Sequence, residues 1–202
     1  MTADAAADDA ARDDRAHWES RYAERGDELD RAASPWIIDR ALAVPTDALF
    51  IDVAGGTGRH AAPLAAAGRS VVVIDFVPRA LAAAVVRVPR LRGVAADVRA
   101  LPIRPRSAGA IICVSFLDRS IFGQLAELLA PGGVLLYETF TVDHLDVVAR
   151  GRARGPRNPA FLLQPGELPR LVKPLIVQEH SEGTVVDVVG ERSVARVVAR
   201  KA

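Results

Sequence analysis

Residues 48–58 read ALFIDVAGGTG, a continuous apolar run that carries one acid, Asp52, and then breaks on glycines. A short apolar run bounded by a turn signal suits a strand buried on both faces, and glycines let the backbone turn tightly and approach a ligand. Outward from this stretch the pattern repeats. RHAAPLAAAG (59–68) reads as a helix ending at Gly68, VVVID (71–75) as a second buried strand, VPRALAAAVVRV (77–88) as a helix and GVAAD (93–97) as a short third strand. AGAIICVS (108–115) is a fourth strand, DRSIFGQLAELLA (118–130) a helix, and GGVLLYETF (132–140), opened by Pro131, a fifth strand. Strands alternating with helices predict a parallel, doubly wound α/β sheet in a single domain.

The flanks differ. Residues 1–16 carry five Asp and no apolar core segment, which predicts a flexible acidic leader and no secretory signal. Trp18 and Tyr22, four apart, mark one face of an amphipathic helix ending near Gly26. Ser34 and Pro35 then predict a capped second helix through Val44, so that residues 17–45 form a helical cap on a domain spanning 17–202. Beyond the fifth strand, 141–170 is polar, proline-rich and dense in arginine, and reads as a lid or substrate segment. LIVQEHSEG (175–183) and SVARVVARK (193–201) read as two strands joined by a loop, an antiparallel hairpin at one sheet edge that brings the count to seven strands.

Composition sets limits. The 202 residues hold 26 Lys+Arg against 25 Asp+Glu, a net charge of +1, so no whole-chain field favours nucleic acid or an anionic membrane. Nucleic acid is thus an unlikely partner by this reading. No apolar run is long enough for a spanning helix, and the single Cys113 excludes a disulfide framework and fits a cytoplasmic protein with a buried thiol. The four histidines, His17, His60, His144 and His180, lack ligand spacing, so no metal site is expected. Only two lysines, Lys173 and Lys201, accompany the arginines, which argues against Schiff-base chemistry.

In sheets of this kind, ligands bind beyond the C-terminal ends of the strands, beside the first one. The loop Ala54-Gly55-Gly56-Thr57-Gly58 lies there, followed by a helix N-terminus. Asp75, about 20 residues on at the end of the next strand, is placed to accept both hydroxyls of a ribose. Loop and acid together indicate a nucleoside cofactor. Gly56 to Ala61 also fits G-x-G-x-x-A, so NAD stays in view. Against it stand Asp52 before the glycines, Asp97 closing the third strand, and Leu129-Ala130-Pro131-Gly132-Gly133 before the fifth.

Those residues resemble the motifs of the class I S-adenosylmethionine (SAM)-dependent methyltransferases over about 48–140. The resemblance implies a Rossmann-like, seven-stranded, mostly parallel sheet with a C-terminal antiparallel hairpin, and SAM as cofactor with S-adenosylhomocysteine as product. By it, backbone of Ala54, Gly55, Gly56 and Gly58 surrounds the methionine moiety and Asp52 anchors its ammonium. Asp75 holds the ribose, Phe76 flanks the adenine, Asp97 and the Val98 N–H meet the ring, and Ser115 completes the ammonium contacts. Ala54 stands where the pattern has glycine, which is tolerable only at negative φ. Trp18-Glu19-Ser20-Arg21-Tyr22 and the tract from Arg157 to Leu168 are similar to small-molecule methyltransferases of the tellurite-resistance and thiopurine type. There Arg21 and Tyr22 would close on the cofactor and Trp18 on the substrate.

The acceptor side is less determined. Asp118 reads as a general base or equally as a helix N-cap, His144 as a base acting through water, and Arg119 as a substrate contact or a solvated neighbour. Arg150, Arg152, Arg154 and Arg157 could clamp an anionic acceptor, contact phosphates, or keep a loop soluble. Motifs for methylating adenine or glutamine amino groups, cytosine C5 or ribose are missing, which leaves a small-molecule acceptor. The reading predicts a monomer or homodimer. Its competitors are a non-catalytic SAM-binding partner protein and an NAD(P)-dependent oxidoreductase.

Overall fold

The computed structural model describes residues 18–20, 22, 23 and 32–202. The leader 1–16 and Arg21 lie outside the described residues, and of the first expected helix, 18–20 and 22–23 are helical. The elements that follow are α1 (Pro35–Leu42), β1 (Leu49–Val53), α2 (Ala61–Ala66), β2 (Ser70–Asp75), α3 (Pro78–Arg87) and β3 (Arg92–Ala95). Then come β4 (Ala108–Val114), α4 (Phe122–Leu128), β5 (Leu129–Phe140), α5 (His144–Ala149), α6 (Leu168–Leu171), β6 (Ile176–Asp187) and β7 (Gly190–Arg200). They form one seven-stranded sheet in the order β3-β2-β1-β4-β5-β7-β6. β1 to β5 pair in parallel, while β7 runs antiparallel to both β5 and β6.

The all-apolar strands hide a period of two that sorts their side chains between two cores. Phe50, Val71, Val73, Ala110, Ile112 and Leu136 pack with Ile37 of α1, Leu64 of α2 and Leu81 of α3. Ile51, Ile74, Ile111, Cys113, Leu135 and Tyr137 face the other way, onto Phe122 and Leu125 of α4 and Leu168 of α6. Burial on both faces is why these strands carry almost no polar residues. It also makes Asp52 and Glu138, each 1% exposed, exceptional.

Several boundaries depart from expectation. α1 ends at Leu42, and Ser34 does not cap it: the hydroxyl donates instead to Glu138 Oε2 at 2.8 Å. The hairpin is longer than predicted. Thr184–Asp187 pair with Ser193–Gly190, leaving Val188-Val189 as the whole turn, closed by the Val189 N–H on Asp187 Oδ1 at 2.9 Å. Its β-branched run extends the strands where polar flanks suggested a loop. The expected lid, 141–170, also divides. Leu162, Leu163 and Leu168 are fully buried, and Thr141 bridges to Leu163, so the exposed part is an arm that runs from the end of α5 to Phe161.

Candidate functional site

The C-terminal ends of β1, β2 and β4 lie level, through the pairings Val53↔Ile74 and Val53↔Cys113, and open on a cavity of about 840 Å³. The glycine loop forms its floor. Gly55 N–H donates to Ile74 O at 3.2 Å, and Gly58 N–H turns back on Gly55 O at 2.9 Å. A Cβ on Gly55 would stand 2.7 Å from both Asp52 Cγ and Val73 Cγ1, so the loop reaches this depth only because that side chain is absent. Gly56, at φ +56°, has the Tyr22 hydroxyl directly over it, in the space a Cβ would need. Gly58 is off the cavity wall, turned toward Ala84 and Leu91, and so does not surround a ligand as expected.

Ala54 corrects a sequence expectation more sharply. It lies at φ +52°, in the left-handed region, where only negative φ looked tolerable. Across the cavity Ser115 sits at φ +59°, at the end of β4, its N–H held by Glu138 O at 2.8 Å. Two strained non-glycine residues thus flank the crevice, and such strain persists where surrounding structure over-determines it.

Asp52 Oδ2 is buried without a hydrogen-bond partner. Burial pushes its carboxyl up to about 7; Arg59 opposes that push, Asp75 adds to it, and the Ala61 N–H opposes it. Asp75 is better served. Gly56 N–H donates to its Oδ2 at 2.8 Å and Val77 N–H to its Oδ1 at 3.0 Å, although burial still raises its pKa. A carboxylate has about four acceptor positions, so these bonds do not saturate Asp75. Phe76, Val98 and Asp97 continue this wall, Asp97 with Oδ1 committed to the Arg99 N–H at 2.8 Å. Trp18 and Tyr22 close it from the N-terminal helix.

The acceptor-side candidates fare differently. Asp118 is on the wall but occupied: Oδ1 caps Ser120 through its N–H (2.9 Å) and hydroxyl (2.6 Å), and Oδ2 pairs with Arg99 Nε at 2.8 Å. Burial would raise its pKa, but these hydrogen bonds and the Arg99 charge win and hold it low, which makes it a weak base. Arg119 is not on the wall. It grips Glu167 through Nε (2.6 Å) and Nη2 (3.0 Å) and donates to Ala160 O and Leu162 O, tying down the far end of the arm. His144 is enclosed, stacked on Phe140 at 4.4 Å, with Nδ1 accepting the Ser193 N–H at 3.3 Å and Gly155 packed on Nε2. Burial lowers its pKa, and it is a post under the arm, off the cavity wall, not a base reaching in through water. Arg157 is on the wall as expected, joined by Arg152 and Arg154.

Sequence reading missed Arg192, which is 6% exposed and part of the wall. Its Nη1 donates to Glu138 Oε1 at 2.6 Å and its Nη2 to Asp187 Oδ2 at 2.7 Å, while Arg196 Nε reaches Glu138 Oε2 at 2.7 Å. His60, set aside above with the other histidines for lack of ligand spacing, also belongs here. It lines the cavity and accepts the Ser34 N–H on Nε2 at 3.1 Å, kept neutral by burial. The signal for this network was a charge inside an apolar strand, Glu138 in VLLYETF, which requires a partner.

Residues 50–133, the span from β1 to the start of β5's apolar run, match the family model described as a methyltransferase domain. A demethylmenaquinone methyltransferase from Renibacterium salmoninarum is 32% identical over 111 residues, 52% of this chain and 46% of that protein. The chain therefore matches less than half of that relative's length. A SAM-dependent methyltransferase from Methanosarcina mazei superposes with a TM-score of 0.69 at 18% identity, covering 84% of this chain and 98% of that one. TehB from Haemophilus influenzae gives 0.66 at 20% identity, covering 84% and 63%. At these identities the superpositions show the fold, and this chain's own residues must carry any chemistry. Among the described residues, no helix is long and apolar enough to cross a membrane.

Proposed function

We propose that this chain transfers a methyl group from SAM to a small-molecule acceptor by in-line displacement. The observation that carries the reading is Asp52, buried beside the glycine loop with Oδ2 unpartnered. A buried carboxylate of that kind calls for a cation, and the ammonium of a methionine moiety lying along the loop supplies one. Ala54, Gly55 and Gly56 would give that moiety its close backbone contacts, with Ser115 opposite. Asp75 would accept from ribose hydroxyls on its remaining lone pairs, Phe76 offers a face for adenine, and Asp97 Oδ2 with the Val98 N–H would meet the ring edge. The cofactor, when bound, supplies an electrophilic methyl on a sulfonium.

The protein's contribution is then alignment and exclusion of water, by Trp18 and Tyr22 on one side and residues 150–157 of the arm on the other. With Asp118 engaged and His144 walled off, neither candidate base is free to take a proton, which suits acceptors that are already ionised or carry an unprotonated lone pair. Domain limits of 17–202, with 141–170 as the substrate segment, belong to the same proposal.

Calorimetric titration with SAM, S-adenosylhomocysteine and NADH tests it. SAM and S-adenosylhomocysteine should bind, and Asp52→Asn and Asp75→Asn should each weaken binding at least about tenfold. Binding of NADH alone would sink the proposal in favour of an oxidoreductase.

A further inference from the structure

Acids and arginines gather at different parts of the cavity wall, although Arg59 and Arg99 lie among the acids and Glu191 among the arginines. Asp52, Asp75 and Asp97 stand at the ends of β1, β2 and just beyond β3, whereas Arg152, Arg154, Arg157 and Arg192 stand on the arm and on β7. On the acidic side each carboxylate has its use in the reading above. On the basic side the pairing is incomplete. Arg152 leans on Glu191 at 3.3 Å, but the side chains of Arg154 and Arg157 make no hydrogen bond or ion pair with the described residues. Arg192 is held rigidly by Glu138 and Asp187, yet its Nε–H is buried with no partner. A buried donor left open in a cavity wall asks for an acceptor from the ligand.

We propose that the basic end binds an organic anion, a carboxylate or an equivalent oxyanion, through Arg154, Arg157 and the Nε–H of Arg192. Calling that anion the methyl acceptor rests on the methyl-transfer reading; the site itself does not. Guanidinium forks match a carboxylate's planar geometry, which lysines would not do as well. Nor is the arm that carries the two arginines a free loop. Gly155 packs on His144 at its middle, Arg150 and Arg152 reach Glu191, and Asn158 caps the turn at its far end through the Ala160 N–H at 3.0 Å. An acceptor that arrives ionised also fits a site in which Asp118 and His144 are both engaged.

The test uses matched pairs that differ in charge alone: benzoate with benzamide, 4-hydroxybenzoate with 4-hydroxybenzamide, and phenylacetate with phenylacetamide. Each is titrated into the full chain with and without saturating S-adenosylhomocysteine. At least one carboxylate should bind about tenfold or more tightly than its amide. Arg154→Gln with Arg157→Gln should bring the pair to within about twofold and leave S-adenosylhomocysteine affinity unchanged. Equal binding within every pair, including no binding by any carboxylate, overturns the proposal, as does a preference that survives in the double variant. If S-adenosylhomocysteine fails to bind while the carboxylate preference persists, the cofactor reading falls and the anion site stands.

Discussion

At the glycine-loop end of the cavity the link between the loop backbone and its strand-end acid is short in sequence: the step from Gly56 N–H to Asp75 Oδ2 spans 19 residues. At the arginine end the links to Glu138 are long. Glu138 meets Arg192 and Arg196 across 54 and 58 residues, and Ser34 across 104. The first end is a turn and its neighbouring strand, specified by glycines and strand-end acids that one βαβ unit brings together. The second exists only once β5, β7 and the N-cap position of α1 have docked, so it depends on the whole sheet. Each end should therefore fail in its own way when disturbed.

The largest effect is expected from Glu138→Ala. Removing a carboxylate that is 1% exposed leaves two arginine side chains, 7% and 11% exposed, without their shared partner. Breaking a buried pair from one side costs about 3–5 kcal/mol, and urea unfolding should show a loss of that size. A loss under about 1 kcal/mol would mean that the network is not what joins β7 to β5. At the other end, Gly55→Ala sets a methyl 2.7 Å from Asp52 Cγ and Val73 Cγ1. Overpacking of this kind costs about 1–3 kcal/mol, and displacement of the loop should abolish S-adenosylhomocysteine binding in the same preparation. A variant that folds and still binds would show that the loop has more slack than its contacts suggest.

The same contrast explains what could be read in advance. The order of strands and helices, the edge hairpin and the acid at each of Asp52, Asp75 and Asp97 were legible, because buried parallel strands are apolar runs and turns declare themselves by glycine. What escaped was tertiary. Whether Asp118 is a base or a cap depends on where Arg99 and Ser120 fall; whether Arg119 faces the cavity depends on where the chain brings Glu167. His144 was misread for the same reason, since only the packing of Gly155 and Phe140 against it shows that it is shut in. Arg192 lay in a segment read as loop, and a longer hairpin than the polar flanks implied placed it in the wall.

Asp52→Asn should separate stability from binding. With a folded pKa of about 7 against an ordinary 3.8, the folded protein holds an extra proton between those values, so Asp52 makes the protein less stable as pH rises through that window and remains a penalty above it. Asparagine removes the charge and keeps an acceptor for the Ala61 N–H. Without ligand, the variant should be more stable than the parent by roughly 1–3 kcal/mol near pH 8 and about equal near pH 4. SAM affinity of the parent should rise with pH through about 7 as the carboxylate forms, and the variant should lose that dependence. Thermal unfolding at the two pH values and titrations across the window check both halves. A variant that tracks the parent at every pH would show that Asp52 is solvated and paired in solution.

The smallest effect is the most exact test of the strained wall. Ala54 at φ +52° bears the penalty of an L-residue in the left-handed region, about 1–2 kcal/mol. Ala54→Gly removes it but adds unfolded-state freedom worth roughly 0.5–1 kcal/mol, so a net stabilisation of about 0.5 kcal/mol is expected. Ser115→Gly has the same backbone logic at φ +59°, yet it also deletes the Oγ that accepts from Arg59 Nη2 at 3.2 Å. The two variants should therefore part company. Ala54→Gly should raise the unfolding midpoint slightly, while Ser115→Gly stays level or falls because the lost contact offsets the relieved strain. Equal gains would show that the Arg59 contact contributes nothing. A loss at Ala54 would show that its methyl, which packs against the core containing Ile51 and Val53, contributes more than the backbone strain removes.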